Sequence, residues 1–308
     1  MVYASLVPLS SSKRINKIIA TAAICTTVIA VVGFYVWYEG QRPPLLEIYI
    51  IALKSGQAIF VRTPNDKRIL IDGGMNSEII RHLSTILPFY TRRIDTLVVT
   101  KSDGKRVSGL IDILSRYSIN EVVVPGVDLV GLGLASSTDQ IYQAFLDAVV
   151  SAKVPMKKIV AGDSIILDNF STTTQEVSLD VIFPVSGGGF KYSKASSPEL
   201  VARISYGSTS VMLAGAATPK IQKFIVNASS TPPSSTDLKS DVLILSQNAT
   251  TSNIAPVFMS AVSPDDIIYS KAKATNMLKE HRFNIREVGT LKVVSNGKNV
   301  EIEDHLRD

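Results

Sequence analysis

The chain has 308 residues, of which 45% are hydrophobic, and it carries a formal net charge of +5. This composition excludes an intrinsically disordered chain and fits one large domain or two small ones. Residues 1–44 hold four basic residues and one acidic residue, which leaves a net charge of only +2 for residues 45–308. The globular part therefore lacks the bulk positive charge typical of nucleic-acid binding, and any such binding would need a local cluster.

An apolar segment near the amino terminus predicts a membrane anchor. Residues 18–38 contain no charged side chain, and as a helix they would span roughly the 30 Å of a hydrocarbon core. Lys13, Arg14 and Lys17 precede the segment, and Trp37 and Tyr38 close it. The positive side should stay in the cytoplasm, which predicts a cell-membrane protein with one span and an extracytoplasmic carboxyl-terminal part. A cleaved signal peptide is the alternative, although its apolar core is usually shorter.

The predicted organisation is a cytoplasmic tail at 1–17, a transmembrane anchor at 18–38, a spacer at 39–44 and one domain at 45–308. Apolar and alternating runs predict strands at 45–52, 57–63, 68–72, 96–100, 121–125, 164–167, 179–183, 200–206, 209–214, 241–245, 266–269, 285–287, 291–294 and 300–302. Helical spacing predicts helices at 76–87, 107–117, 135–153, 219–226, 254–261 and 272–281. This order favours a mixed α/β domain of two packed sheets with helices outside.

Few side chains are suited to hold a metal. The single cysteine, Cys25, excludes an intramolecular disulfide and a cysteine-based metal site. The three histidines, His82, His281 and His305, are far apart in the sequence and favour ordinary surface or helix-end positions.

Five segments, in order, resemble the motifs of a known family. They are 56–74, with GQAIFV and KRILIDGG; 100–110, TKSDGKRVSGL; 200–216, with LVARISYG and VMLAGA; 238–250, LKSDVLILSQNAT; and 262–291, with VSP, IIYS and GTL. Together they resemble the metallo-β-lactamase superfamily, and most of all the carboxyl-terminal β-lactamase-like domain of ComEC-type DNA-uptake proteins. The resemblance implies a four-layer αββα sandwich, preceded here by the transmembrane helix.

The resemblance also implies that the metal ligands are gone. In the family motif T-H-x-[HD]-x-D-H-x-x-G, the first histidine corresponds to Lys101, the metal-facing aspartate to Lys105 and the paired histidine to Arg106, while Asp103 is kept. The metal-bridging aspartate corresponds to Ala216. The later pair of histidines corresponds to Gln247 and Asn248.

Protonated lysine has no free lone pair, and arginine is not a metal ligand in practice. One aspartate cannot hold a catalytic zinc, which usually needs three protein ligands. The chain is therefore expected to bind no metal cofactor and to be a non-catalytic member of the fold.

Two interpretations of the basic loop remain open. Lys101, Lys105 and Arg106 either decorate a solvated loop and pair with Asp103 or Asp95, or they replace the charge of the metals and hold a phosphate-bearing strand. In the second case Gln247 and Asn248 would add hydrogen bonds. Additional basic side chains would come from Arg92, Arg93 and Lys271 or Lys273.

The favoured function is a binding or scaffold module in DNA uptake or processing at the cell surface. Single-stranded DNA, or another phosphate-bearing ligand, and a channel-forming membrane protein are the expected partners. The alternatives are a hydrolase or nuclease with an unusual site, using Asp103 and nearby lysines, and a purely structural envelope protein.

Overall fold

The structure is a computed structural model that describes residues 11–40, 44–127, 140–169, 176–186, 189–193, 198–230, 237–246, 254–270 and 282–304. The chain divides into two compact units, Met1–Pro44 and Leu45–Asp308. The first unit contains helix α1 (Ser11–Gly40). Its stretch Asn16–Tyr35 has a mean hydropathy of 2.2, and it is long and apolar enough to cross a membrane.

The second unit alternates strands and helices. Its described strands are β1 (Leu46–Ala52), β2 (Gln57–Arg62), β3 (Arg68–Ile71), β4 (Arg93–Val98), β5 (Ser118–Pro125), β6 (Met156–Ile159), β7 (Ser164–Asn169), β8 (Glu176–Phe183), β9 (Val201–Tyr206), β10 (Thr209–Gly215), β11 (Val242–Leu245), β12 (Asp266–Tyr269), β13 (Arg282–Asn284), β14 (Leu291–Ser295) and β15 (Val300–Asp304). Its described helices are α2 (Glu78–Ile86), α3 (Gly104–Arg116), α4 (Gln140–Ser151), α5 (Pro219–Ser229), α6 (Pro256–Val262) and α7 (Ile285–Val288).

The strands form two sheets. One has eight strands in the order β15-β14-β1-β2-β3-β4-β5-β6, and the other has seven in the order β13-β12-β11-β10-β9-β8-β7. Strands β3 to β6 run parallel, and so do β10 to β13. We call the edge at which β3, β4, β10, β11 and β12 end the carboxyl edge. We call the opposite edge, at which β1, β4, β5 and β6 begin, the amino edge.

The core lies in three apolar layers. Inward-facing residues of both sheets, such as Ile48, Val61 and Ile204, form the central layer. The outer face of the eight-stranded sheet packs on α2, α3 and α4, and that of the seven-stranded sheet packs on α5 and α6. The result is the four-layer αββα sandwich predicted from the sequence.

The structure corrects some predicted elements. Strand β6 was missed because its sequence, MKKI, has no apolar alternation and three of its four residues are exposed at the end of the sheet. Residues 285–287 were predicted as a strand but belong to helix α7. The side chain of Asn284 accepts a hydrogen bond from the backbone N–H of Arg286 and starts that helix, and Gly289 ends it at a φ of 91°. The predicted helix at 272–281 lies outside the described residues.

Candidate functional site

Loops from both sheets meet at the carboxyl edge. Asp72 follows β3 and Thr100 lies just beyond β4, while Ser246 follows β11 in the other sheet. Glu199 lies ahead of β9, which runs antiparallel to β10 and therefore begins at this edge. Arg106 lies in the first turn of α3, and its guanidinium joins these loops.

The guanidinium of Arg106 lies between two buried carboxylates. Its Nη1 donates to Asp72 Oδ2 over 3.1 Å, and its Nη2 donates to Glu199 Oε1 over 3.0 Å. The same Nη2 lies 3.1 Å from the hydroxyl of Ser246, which accepts a further hydrogen bond. The side chains of Asp72 and Glu199 are each only 4% exposed, and that of Arg106 is 14% exposed. We call Arg106, Asp72 and Glu199 the Arg106 cluster.

Both carboxylates receive further hydrogen bonds. Thr100 donates to Asp72 through its backbone N–H at 2.9 Å and through its hydroxyl at 2.6 Å. The backbone N–H of Ala216 donates to Glu199 Oε1 at 2.6 Å. Buried charges are costly unless they are paired and hydrogen-bonded. The two carboxylates of this cluster meet both conditions.

Burial and ion pairing act in opposite directions on the pKa values of the cluster. Burial raises the pKa of Asp72, and Arg106 and the hydrogen bonds from Thr100 offset only part of this rise. Burial likewise raises the pKa of Glu199 against the effect of Arg106. For Arg106, burial disfavours the charged form, but Asp72 and Glu199 outweigh it and raise the pKa. Two acids that share one guanidinium therefore retain protons more strongly than they would in water.

Close backbone contacts hold α3 against the loop after β3. The N–H of Gly73 donates to the carbonyl oxygen of Arg106 at 2.8 Å, and the N–H of Gly109 donates to that of Gly74 at 3.1 Å. A Cβ atom at Gly109 would overlap the carbonyl oxygen of Gly73 and lie 2.7 Å from that of Asn76. Only glycine allows this approach, which sets the position of Arg106 relative to Asp72.

A small cavity adjoins the cluster. Its volume is about 20 Å³, and its lining includes Gln57, Asp72, Thr100, Arg106 and Ser246. Within the described part of the chain, the buried Oε1 atom of Gln57 has no hydrogen-bond partner. A space of this size accommodates about one water molecule.

The other residues predicted for the site differ in their exposure to solvent and in their contacts. Asp103 caps α3, because its Oδ1 accepts a hydrogen bond from the backbone N–H of Lys105 at 2.9 Å. Lys101 is partly exposed, with its Nζ 4.0 Å from Asp103 Oδ2, and Lys105 is exposed. Ala216 is also exposed, although its backbone contacts the cluster. Gln247, Asn248, Lys271 and Lys273 lie outside the described residues.

The expectation that Arg92 and Arg93 assist this site is wrong. They stand at the start of β4, on the amino edge, whereas the cluster lies at the carboxyl edge. Asp95, considered as a partner for the basic loop, pairs instead with Arg93 at 3.1 Å. Glu199 was not predicted from the sequence, where it is marked only as an acidic residue directly before the apolar run of β9.

The residues present do not fit the divalent metals that the family motif binds. Among the described residues, no group of three or more histidine, cysteine, aspartate or glutamate side chains is arranged to hold a metal ion. The carboxylates of Asp72 and Glu199 already bind a guanidinium. A catalytic zinc usually needs three protein ligands, and the adjacent Lys101 and Lys105 would repel a dication.

The known proteins that align with this chain are solved structures. No family model matches it, and no curated protein matches it. Solved structures that align with it include a β-lactamase from Chitinophaga pinensis, at 12% identity and a TM-score of 0.43 over 70% of this chain and 87% of that one. A second is MEM-A1, a subclass B3 metallo-β-lactamase from a soil metagenome library, at 11% identity and a TM-score of 0.38 over 64% and 75% of the two chains.

A third aligned structure is the E377D mutant of the CmlA β-hydroxylase, at 14% identity and a TM-score of 0.43. The alignment covers 74% of this chain but only 46% of the CmlA chain. Identities and scores this low say nothing about the activity of this chain.

Proposed function

We propose that this protein is a membrane-anchored, non-catalytic relative of the metallo-β-lactamase fold that acts as a binding or scaffold module in DNA uptake or processing. The apolar helix α1 would be the anchor, with its amino terminus in the cytoplasm and the αββα domain outside. The ComEC-like order of the sequence motifs supports the DNA-related setting. A channel-forming membrane protein would be the natural partner, because a single span forms no channel by itself.

The Arg106 cluster is the observation that carries the non-catalytic part of this proposal. Metal-dependent hydrolysis needs a bound metal that acidifies a water molecule. At the position of the motif's paired histidine, this chain has a guanidinium that is bound to Asp72 and Glu199. A fixed internal cation with its own counter-ions stabilises the edge without creating an acidified water.

Lys101 and Lys105 are the proposed phosphate contacts. Both lie at the carboxyl edge, and their ammonium groups are at least partly open to solvent. Arg106 contributes indirectly, because its guanidinium is engaged by the two carboxylates. Asp103 fixes the first turn of α3 from which Lys105 projects. Gln247 and Asn248 directly follow Ser246 in the sequence and would add neutral hydrogen bonds.

Salt-dependent binding of single-stranded DNA tests this proposal. We expect the full chain in detergent micelles to bind an oligonucleotide, and the Lys101→Ala/Lys105→Ala variant to bind it more weakly. Loss of two phosphate contacts should reduce the slope of log K against log salt by about 1.4. The matched control is Lys157→Ala/Lys158→Ala, which removes the same charge from the exposed strand β6. Equal binding by both variants would refute the assigned site.

A nuclease assay separates this proposal from the hydrolase alternative. The purified chain is incubated with single-stranded DNA and with manganese or zinc, with and without a chelator, and its metal content is measured. The proposal predicts no cleavage and no stoichiometric metal. Turnover that disappears on chelation would overturn it.

A further inference from the structure

Two neighbouring aromatic side chains project from the turn between α2 and β4. Phe89 is 89% exposed and Tyr90 is 74% exposed, which makes Phe89 the most exposed large hydrophobic side chain among the described residues. Their rings pack edge to face with centroids 5.4 Å apart. The two adjacent rings form a contiguous exposed apolar surface, and such surfaces, when bordered by polar residues, mark protein or membrane interaction sites.

The pair lies at the edge where the chain enters the domain. Arg93 is the first residue of β4, so Phe89 and Tyr90 lie at the amino edge. Strand β1 runs in the same direction as β3 and β4, because it is antiparallel to β2 and β2 is antiparallel to β3. It therefore also begins at the amino edge. In the sequence, only residues 41–45 connect β1 to the apolar helix α1.

The turns of the eight-stranded sheet at this edge are strongly basic. Their exposed cationic residues are Lys67, Arg92, Arg93, Arg116, Lys153 and Lys298. In the same described turns the exposed acidic residue is Asp66, which pairs with Arg68. The buried Asp95 pairs with Arg93. The basic residues thus lie along this edge on both sides of the aromatic pair, although the domain as a whole carries little net charge.

We propose that this basic part of the amino edge rests on an anionic lipid surface, with Phe89 and Tyr90 inserted at the level of the lipid headgroups. Aromatic rings favour the membrane–water interface, and lysine and arginine are attracted to anionic headgroups. Exposed aromatics beside basic residues also suit single-stranded nucleic acid. The lipid surface is favoured because this edge receives the chain directly after a helix long and apolar enough to cross a membrane.

A single-tryptophan reporter tests the proposal in the full chain. Trp37 is the only tryptophan, so the Trp37→Phe/Phe89→Trp variant carries one reporter at the tip of the turn. In nanodiscs that contain phosphatidylglycerol and brominated phosphatidylcholine, we expect blue-shifted emission that the bromine quenches. The control is Trp37→Phe/Met75→Trp, which places the reporter at an exposed position on the carboxyl edge. We expect at least threefold stronger quenching at position 89, and equal quenching at both positions would overturn the proposal.

The role of charge is tested with the same reporter. Adding Lys67→Glu/Arg116→Glu should reduce the quenching at position 89 by half or more, whereas Lys54→Glu/Lys220→Glu, two exposed lysines at the carboxyl edge, should leave it unchanged. Quenching that is equal in nanodiscs with and without phosphatidylglycerol would overturn the anionic specificity. Emission that responds to an added oligonucleotide but not to phosphatidylglycerol would assign the edge to nucleic acid instead.

Discussion

Arg106 and Glu199 lie 93 residues apart in the chain, yet their Nη2 and Oε1 atoms are 3.0 Å apart. Arg106 belongs to a helix that packs on the eight-stranded sheet, and Glu199 leads into the seven-stranded sheet. The backbone N–H of Leu200 donates to the carbonyl oxygen of Thr100 at 2.6 Å beside this pair. The two sheets are therefore joined at the carboxyl edge by a salt bridge and a backbone hydrogen bond.

Removal of the guanidinium should strongly destabilise the fold. Arg106→Met leaves two buried carboxylates without a counter-ion, and such a change typically costs about 3–5 kcal/mol. Denaturant unfolding of the full chain in micelles measures the loss. The exposed neighbour gives the control, because Lys105→Ala should change the unfolding free energy by no more than about 0.5 kcal/mol.

A compensated variant separates charge from packing at the same position. Arg106→Met/Asp72→Asn/Glu199→Gln removes all three charges, so no buried charge is left without a counter-ion. We expect it to regain about half of the stability lost in Arg106→Met. No recovery would show that the length and shape of arginine matter more than its charge.

Gly109→Ala should be destabilising although alanine is the better helix former. Alanine is normally favoured over glycine inside a helix by about 1 kcal/mol. Here its Cβ would collide with two backbone carbonyl oxygens, which α3 can escape only by moving away from the loop after β3. We expect a loss of about 2 kcal/mol or more in chemical unfolding. Ser108→Ala, on the same helix, is the matched control and should be near neutral or stabilising.

The buried acids should make the stability of the fold depend on pH. Burial raises the pKa of Glu199 above its ordinary value of 4.5 in the folded state. The folded protein then binds more protons than the unfolded chain, so stability falls as pH rises from 4.5 to the raised pKa and is level above it. Glu199→Gln should remove its share of this decline. Unfolding measured at several pH values tests it, with Glu301→Gln on β15 as a control for the loss of one carboxylate.

A water molecule is expected in the cavity beside the cluster. The cavity volume of about 20 Å³ suits one water, and the Oε1 atom of Gln57 would accept a hydrogen bond from it. A high-resolution crystal structure should show this water within about 3 Å of that atom. A dry cavity would mean that the Gln57 amide is oriented differently.

The sequence predicted the two-sheet fold because each long strand has a local signal. Runs such as 68–72 and 241–245 are apolar and bounded by turn residues, and they match β3 and β11 within a residue or two. Strand β6 lacks that signal, because its two lysines face solvent and only pairing with β5 makes it a strand. Local pattern therefore identified the buried strands and missed two others, the exposed β6 and the short, partly buried β13.

The site was predicted less completely because Glu199, the partner of Arg106, is distant from it in the sequence. The motif identified Arg106 as a substituted position, and its charge alone suggested a guanidinium available to a ligand. Only the folded chain brings Glu199 and Asp72 to it, and no spacing rule links residues 106 and 199. The assignment of Lys101 and Lys105 to ligand binding remains a prediction.

The link between Arg106 and Glu199 also constrains the order in which this protein can be made. During synthesis Arg106 and Asp72 leave the ribosome before Glu199 does, so strands β1 to β6, which precede Glu199, meet the guanidinium with only one of its two acids. The second acid arrives with the strands that cover the first sheet. The ion pair is therefore complete only when the two sheets have docked. Its contribution to stability should appear in the unfolding rate rather than in the folding rate.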